Sequence, residues 1–327
     1  MLGRDTKAAR GSGQRGSNLP IDYEETDVSN NWGRWGDDDQ RGALNLITPE
    51  AVRAAAQRRV TGKVYSLAIQ LSQATVPAVH DRPAPERYTL STLDDIGRVP
   101  PFFEIGEGVG ANEDVLVMPS HIGTHMDALC HVTSESTLYN GYPASSFTPR
   151  GGASKCGIEQ TGSFAGPAKL LDVAGYVTNH VNPEGLVAGQ VIDAALLEAC
   201  RAAQGTSIEP GDMLLVRTGW IEHRNKHLPP AQAWLQAGLG LDAVSFIRDH
   251  SISVVGTDNS AVESIPFDQN RFLCVHIELL QQLGVTMIEH LWLADLAADS
   301  CYDVLLAVGG LLVTGASGSP VNPIAIG

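Results

Sequence analysis

Positive charge is scarce: 22 Lys and Arg stand against 37 Asp and Glu, a formal net charge of −15 over 327 residues. Nucleic acid and anionic lipid both need a basic footprint, so neither is an expected partner. Cysteine is sparse as well. Five are scattered at 130, 156, 200, 274 and 301, with no Cys-x-x-Cys pair, which indicates neither a disulfide framework nor a zinc ribbon. A reducing cytoplasm is the expected setting. Long apolar runs are missing: Val304 to Ala316 is the longest, too short and Gly-rich to span a bilayer. The N-terminus lacks the apolar stretch of a signal peptide. What is present is an ordinary globular composition, 43% hydrophobic and 18% charged, enough to bury one large core or two modest ones. Thirty-four Gly and 18 Pro predict many turns and loops.

The first 18 residues are Gly-, Ser- and Arg-rich, and Arg4, Lys7, Arg10 and Arg15 outnumber Asp5. Gly11, Gly13 and Gly16 formally match a dinucleotide-binding fingerprint, but no strand precedes them and no helix follows. A flexible basic arm is the expectation. Thr48-Pro49-Glu50 reads as a helix start, with Thr as cap and Pro at the first helical position. Tyr65, Leu67, Ile69 and Leu71 alternate as in a half-buried strand. Residues 74–112 read as one long loop. From about residue 190, helices and strands alternate. Asp193 caps a helix running toward Gly205, and Met213–Thr218, Ile252–Gly256 and Val285–Ile288 read as strands, with helices over 241–250 and 275–283. The pattern is α/β.

The chemistry concentrates in one segment, Ser120-His121-Ile122-Gly123-Thr124-His125-Met126-Asp127-Ala128-Leu129-Cys130-His131, which follows an expected strand over 114–118. Three of the ten histidines fall within these residues. Period two would put His121, His125, Asp127 and His131 on one face. A straight strand would still hold His121 and His125 about 13 Å apart at ~3.3 Å per residue. Metal donors must lie within roughly 2.0–2.2 Å of the ion. An ideal helix brings 121 near 125 but turns 127 away. The chain must therefore curl, most cheaply at Gly123. Imidazoles with a carboxylate suit Mn or Zn better than Ca or Mg.

Other candidates are weaker. Gly315-Ala316-Ser317-Gly318-Ser319 departs from a nucleophile elbow because Ser319 replaces the final Gly, and it reads as a turn whose amides could line a pocket. His223 and His227 sit among Arg224, Asn225, Lys226 and Pro229, the composition of a solvated loop. Asp258 follows a strand, where it could bind substrate in a crevice or cap a loop. Trp35 could contact substrate or pack, and Cys130 reads as a small buried filler.

The central segment resembles the His-x-Gly-Thr-His-x-Asp-x-Pro-x-His signature of the cyclase-like metal hydrolases, which include bacterial kynurenine formamidase and isatin hydrolase. Leu129 stands where the signature has Pro. Trp35-Gly36 with Gly42-Ala43-Leu44-Asn45, His276 followed by Glu289, and Gly318-Ser319-Pro320-Val321 resemble further family segments. The resemblance implies one α/β domain over 26–327, of a swivelling β/β/α-like type with a mixed sheet and flanking helices, behind a flexible arm over 1–25. It implies that His121, His125 and Asp127 hold a Mn or Zn ion and that His131 is the catalytic proton donor and acceptor. In dinuclear members Asp127 would bridge to a second ion held by His276 and Glu289, whereas isatin-hydrolase-like members use one Mn ion. A homodimer or homotetramer is expected by the same likeness.

The expected reaction is hydrolysis of a cyclic amide, an imide-like ring or an aryl amide. A bound divalent ion lowers the pKa of its water from 15.7 to about 7 and polarises a carbonyl. His131 could take a proton from the water and return it to a leaving amine. Two alternatives use the same residues: a polyketide-type cyclase or lyase, and a non-catalytic small-molecule-binding protein.

Overall fold

The computed structural model describes residues 30–58, 61–77, 82–92, 111–223, 232 and 234–327. The expected basic arm, the Gly11–Gly16 match and His227 lie outside the described residues.

Local signals set the helices. Thr48 caps the Pro49–Gln57 helix by accepting from the Ala51 amide at 3.1 Å. Asp193 accepts from Leu196 N at 2.8 Å at the start of Ala194–Gln204, which stops at left-handed Gly205. Shorter helices, Val173–His180 and Ala243–Asp249, complete the main flanking set.

The sheet has nine strands, in the order Val64–Ser66, Ile324–Ile326, Asp303–Gly309, Ser163–Leu171, Met213–Val216, Val254–Thr257, Thr286–Glu289, His125–Asp127, Gly318–Pro320. Ser163–Leu171, Met213–Val216, Val254–Thr257 and Thr286–Glu289 run parallel as neighbours. The other pairings within this sheet are antiparallel. Every residue of Met213–Val216, Val254–Thr257 and Thr286–Glu289 is buried, as expected when both faces of a parallel sheet are covered. The result is one α/β domain with a large, curled mixed sheet and flanking helices.

Two local expectations change. The alternation from Tyr65 to Leu71 yields only the strand Val64–Ser66 and an isolated bridge from Ala68 to Leu291. Tyr65 and Leu67 are buried while Leu71 is exposed, so the half-buried face ends once the chain leaves the sheet. Residues 74–112 are not one loop: Glu86–Ser91 is a strand that pairs with Glu113–Val117. This ribbon stands apart from the main sheet and exposes Tyr88, Leu90, Leu116 and Val117.

Residues 30–46 brace the approach to the Thr286–Glu289 strand. Ala43 N donates to Gly284 O at 2.8 Å, and Trp32 Nε1 donates to Gln281 O at 2.7 Å. A Cβ on Gly42 would lie 2.1 Å from Gly284 O, so this crossing requires glycine.

Candidate metal centre

The motif strand His125–Asp127 lies between Thr286–Glu289 and Gly318–Pro320. Register places His125 opposite Glu289 on one side and Pro320 on the other. Opposite residues share a face of the sheet, and His125 Nε2 comes within 3.3 Å of Glu289 Oε2. The preceding residues curl as expected. Gly123 is left-handed at φ 62, and the His121 and His125 ring centroids end 5.3 Å apart.

The carbonyl of Gly123 fixes two rings at once. His125 Nδ1 donates to it at 2.8 Å and His290 Nδ1 at 2.9 Å. A carbonyl can only accept, so the His125 Nδ1 keeps its proton there and Nε2 is the nitrogen turned to the interior. His276 is fixed differently: its Nδ1 donates to Glu263 Oε1 at 2.5 Å. Its Nε2 then lies 3.5 Å from Glu289 Oε1 and 4.0 Å from Asp127 Oδ2. His121 Nδ1 meets Asp127 Oδ1 at 2.6 Å, and its Nε2 meets the Ser317 hydroxyl at 2.9 Å. Gly318 leaves room for that ring, since a Cβ there would sit 2.5 Å from His121 Cε1. His131 stacks on His121, centroids 3.9 Å apart.

Among the described residues, ligand-capable atoms fall into two overlapping groups, His125 with Asp127 and Glu289, and His121 with Asp127 and His131. Within each group they lie within 4.8 Å of one another. Asp127 belongs to both. Among the described residues its buried Oδ2 has no hydrogen-bond partner, a costly arrangement for a carboxylate unless a cation meets it. Burial raises the Asp127 carboxyl, but His131 and His121 outweigh it and hold the group well below the carboxylate range. Burial likewise raises Glu289, and hydrogen bonds from His125 and His276 bring it down to about 2. Burial lowers His276, yet Glu263 and Glu289 lift it to about 10. The pocket thus concentrates negative charge that imidazole protons balance, and a divalent ion fits the same donors. His131 differs: burial pushes it down to about 4, so it is neutral at ordinary pH.

A family described as putative cyclase matches residues 65–264. The chain belongs to this cyclase family. A solved structure of a novel cyclase is 37% identical, covering 92% of this chain and 100% of its own, with TM-score 0.80. An isatin hydrolase bound to the product analogue thioisatinate is 17% identical over 86% of this chain and 99% of its own, TM-score 0.58. Isatin hydrolase A from Labrenzia aggregata, bound to benzyl benzoate, is 16% identical over 81% of this chain and 93% of its own, TM-score 0.55. The last two share the fold. No curated protein matches the sequence.

Within this cyclase-family domain His121, His125, Asp127, His131, His276 and Glu289 come together. Trp35 packs against the core, with the Arg34 guanidinium 4.8 Å from its ring. Asp258 is fully buried and accepts from Thr218 N, Thr218 Oγ1 and Gly219 N at 2.6–2.8 Å, the geometry of a loop cap. The Gly315–Ser319 turn is half strand, and its Ser317 reaches His121. Sequence reasoning missed Glu263 and His290, and also Arg82, whose Nη1 donates to His121 O at 2.7 Å; it named Ser317 only within a turn whose amides could line a pocket. None carries a spacing signal relative to the motif. Among the described residues no helix is long and apolar enough to cross a membrane.

Proposed function

We propose that this cyclase-family chain is a metal-dependent hydrolase that opens a cyclic amide or imide-like ring or cleaves an aryl amide. The observation that carries the reading is Asp127, whose buried Oδ2, unpartnered among the described residues, stands among His121, His125, His276 and Glu289. His121, His125 and Asp127 would hold one Mn or Zn ion, and His276 with Glu289 would hold a second or complete the first. The ion, when bound, supplies Lewis acidity for a carbonyl and activates water.

The rest falls to the chain's own groups. Asp127 and Glu289 stay ionised, and His125 is oriented by Gly123 O. A ring nitrogen of His131 lies within 4.8 Å of donor atoms of His121 and Asp127. That nitrogen, neutral at ordinary pH, accepts the proton of the attacking water and passes it to the leaving nitrogen. A side-chain nucleophile is not needed. Cys130 is ill suited to the role, because burial pushes its thiol up to about 12.

The family description favours one second reading, ring closure by a cyclase. Metal analysis of the purified protein, combined with cyclic amides, aryl formamides and lactones assayed by product mass, separates the two. Hydrolysis adds one water to the substrate. A product of unchanged mass, or smaller by one water, would establish the cyclase instead.

A further inference from the structure

We propose that Glu263 is a positioning residue for His276, fixing the imidazole so that its Nε2 alone faces the ion site; the proposal rests on the metal-dependent reading above. Glu263 is fully buried, and both its oxygens are saturated by one helical turn, Cys274–His276. Oε1 accepts from His276 Nδ1 at 2.5 Å and His276 N at 3.2 Å. Oε2 accepts from Val275 N at 3.2 Å and Cys274 Sγ at 3.3 Å. A carboxylate offers only acceptors, so Nδ1 keeps its proton on Glu263, and Nε2, facing Asp127 and Glu289, is the nitrogen that can give up its own proton to an ion.

The backbone of Glu263 is itself pinned. Gln236 Nε2 donates to Glu263 O at 2.9 Å, and Leu239 N donates to Val262 O at 2.9 Å. Gly238 lies so close that a Cβ on it would sit 2.3 Å from Glu263 C. The carboxylate therefore reaches His276 from a rigid platform. His125, by contrast, is held by the neutral carbonyl of Gly123. A carboxylate behind an imidazole raises its donor strength more than a carbonyl does, so the two histidines are supported unequally.

A purely structural Glu263, one that only caps the turn, would leave ion binding through His276 untouched. Calorimetric titration of metal-free protein with Mn(II) and with Zn(II) separates the roles in the wild type, Glu263→Gln, His276→Ala and the double variant. Glu263→Gln should weaken the His276-dependent binding 10–100-fold, and adding it to His276→Ala should cost nothing more. Selectively 15N-histidine-labelled wild type, loaded with Zn(II), should show His276 with a proton on Nδ1 and none on Nε2; this holds even if a variant fails to fold. Wild-type affinity in Glu263→Gln, additive losses in the double variant, or an Nε2 proton in the Zn(II)-loaded wild type would overturn the proposal. If His276→Ala itself binds like wild type, the assignment of His276 to the ion site fails first and this proposal with it.

Discussion

Gly123 is the point at which two energies can be weighed. It sits at φ 62, and its carbonyl accepts from His125 Nδ1 and His290 Nδ1. Alanine in that backbone conformation costs about 1–2 kcal/mol. The added methyl would lie 2.9 Å from Leu71 Cδ1, the end of a flexible side chain, and 3.7 Å from Val76 Cγ2, so little is added by crowding. Relaxing to negative φ would turn the carbonyl away and strand two buried imidazole N–H groups, at about 1–3 kcal/mol each. Holding the strained conformation is the cheaper course. Gly123→Ala should therefore lower the melting temperature of metal-free protein by about 2–3 °C and leave metal affinity within a few-fold of wild type. Gly62→Ala is the matched control, at φ 66 with nothing within 4 Å of its added Cβ, and it should lose a similar amount. Gly123→Pro fixes φ near −65°, forces the relaxation and should lose the ion. Thermal unfolding and calorimetric titration read both effects. Loss of the ion in Gly123→Ala would refute the reasoning, because it would mean that the two hydrogen bonds do not hold the curl.

Three further predictions follow from the geometry. His131→Ala should keep the ion by metal analysis while turnover falls roughly 10²–10⁴-fold, and His125→Ala should lose ion and turnover together; loss of metal in His131→Ala would make His131 a ligand. Burial raises Asp258 to about 6 against the hydrogen bonds it accepts. A raised folded-state pKa gives stability that is full below about 3.8 and lost as pH rises through 6, so the stability advantage of wild type over Asp258→Asn should shrink by at most about 3 kcal/mol from pH 4 to pH 7. A constant difference in urea unfolding would show that Thr218 and Gly219 keep Asp258 ionised throughout. Cys130, Cys156, Cys200 and Cys274 are buried and Cys301 is partly exposed, so iodoacetamide should label one thiol in the native chain and five after unfolding; a second native thiol reacting as fast would contradict the packing.

What the sequence made legible is what neighbours along the chain decide. Thr48 before Pro49, Asp193 before a helix that stops at Gly205, and the curl at Gly123 each depend on residues within one turn. The strand Ser163–Leu171 gave no such signal, because Gly166-Pro167 interrupts it. It tolerates the proline because pairing with Met213–Val216 begins only at Ala168. Residues 113–117 show the limit from the other side: their propensity for strand is realised, but the partner is Glu86–Ser91 rather than the main sheet. In the site, His121, His125, Asp127 and His131 share one segment, and Glu289 stands at a strand end. Glu263, Ser317 and His290 reach the histidines through tertiary pairing, which no spacing encodes.

The antiparallel seam between the motif strand and Thr286–Glu289 has a kinetic consequence. Thr124 and His290, bonded across it, are 166 residues apart in sequence. A closure that long is entropically costly and comes after local contacts have formed. A chain with only the motif ordered offers an ion His121, His125 and Asp127 but neither Glu289 nor His276. An ion would thus arrive after the sheet has closed, and the tighter it binds, the longer the closed seam survives.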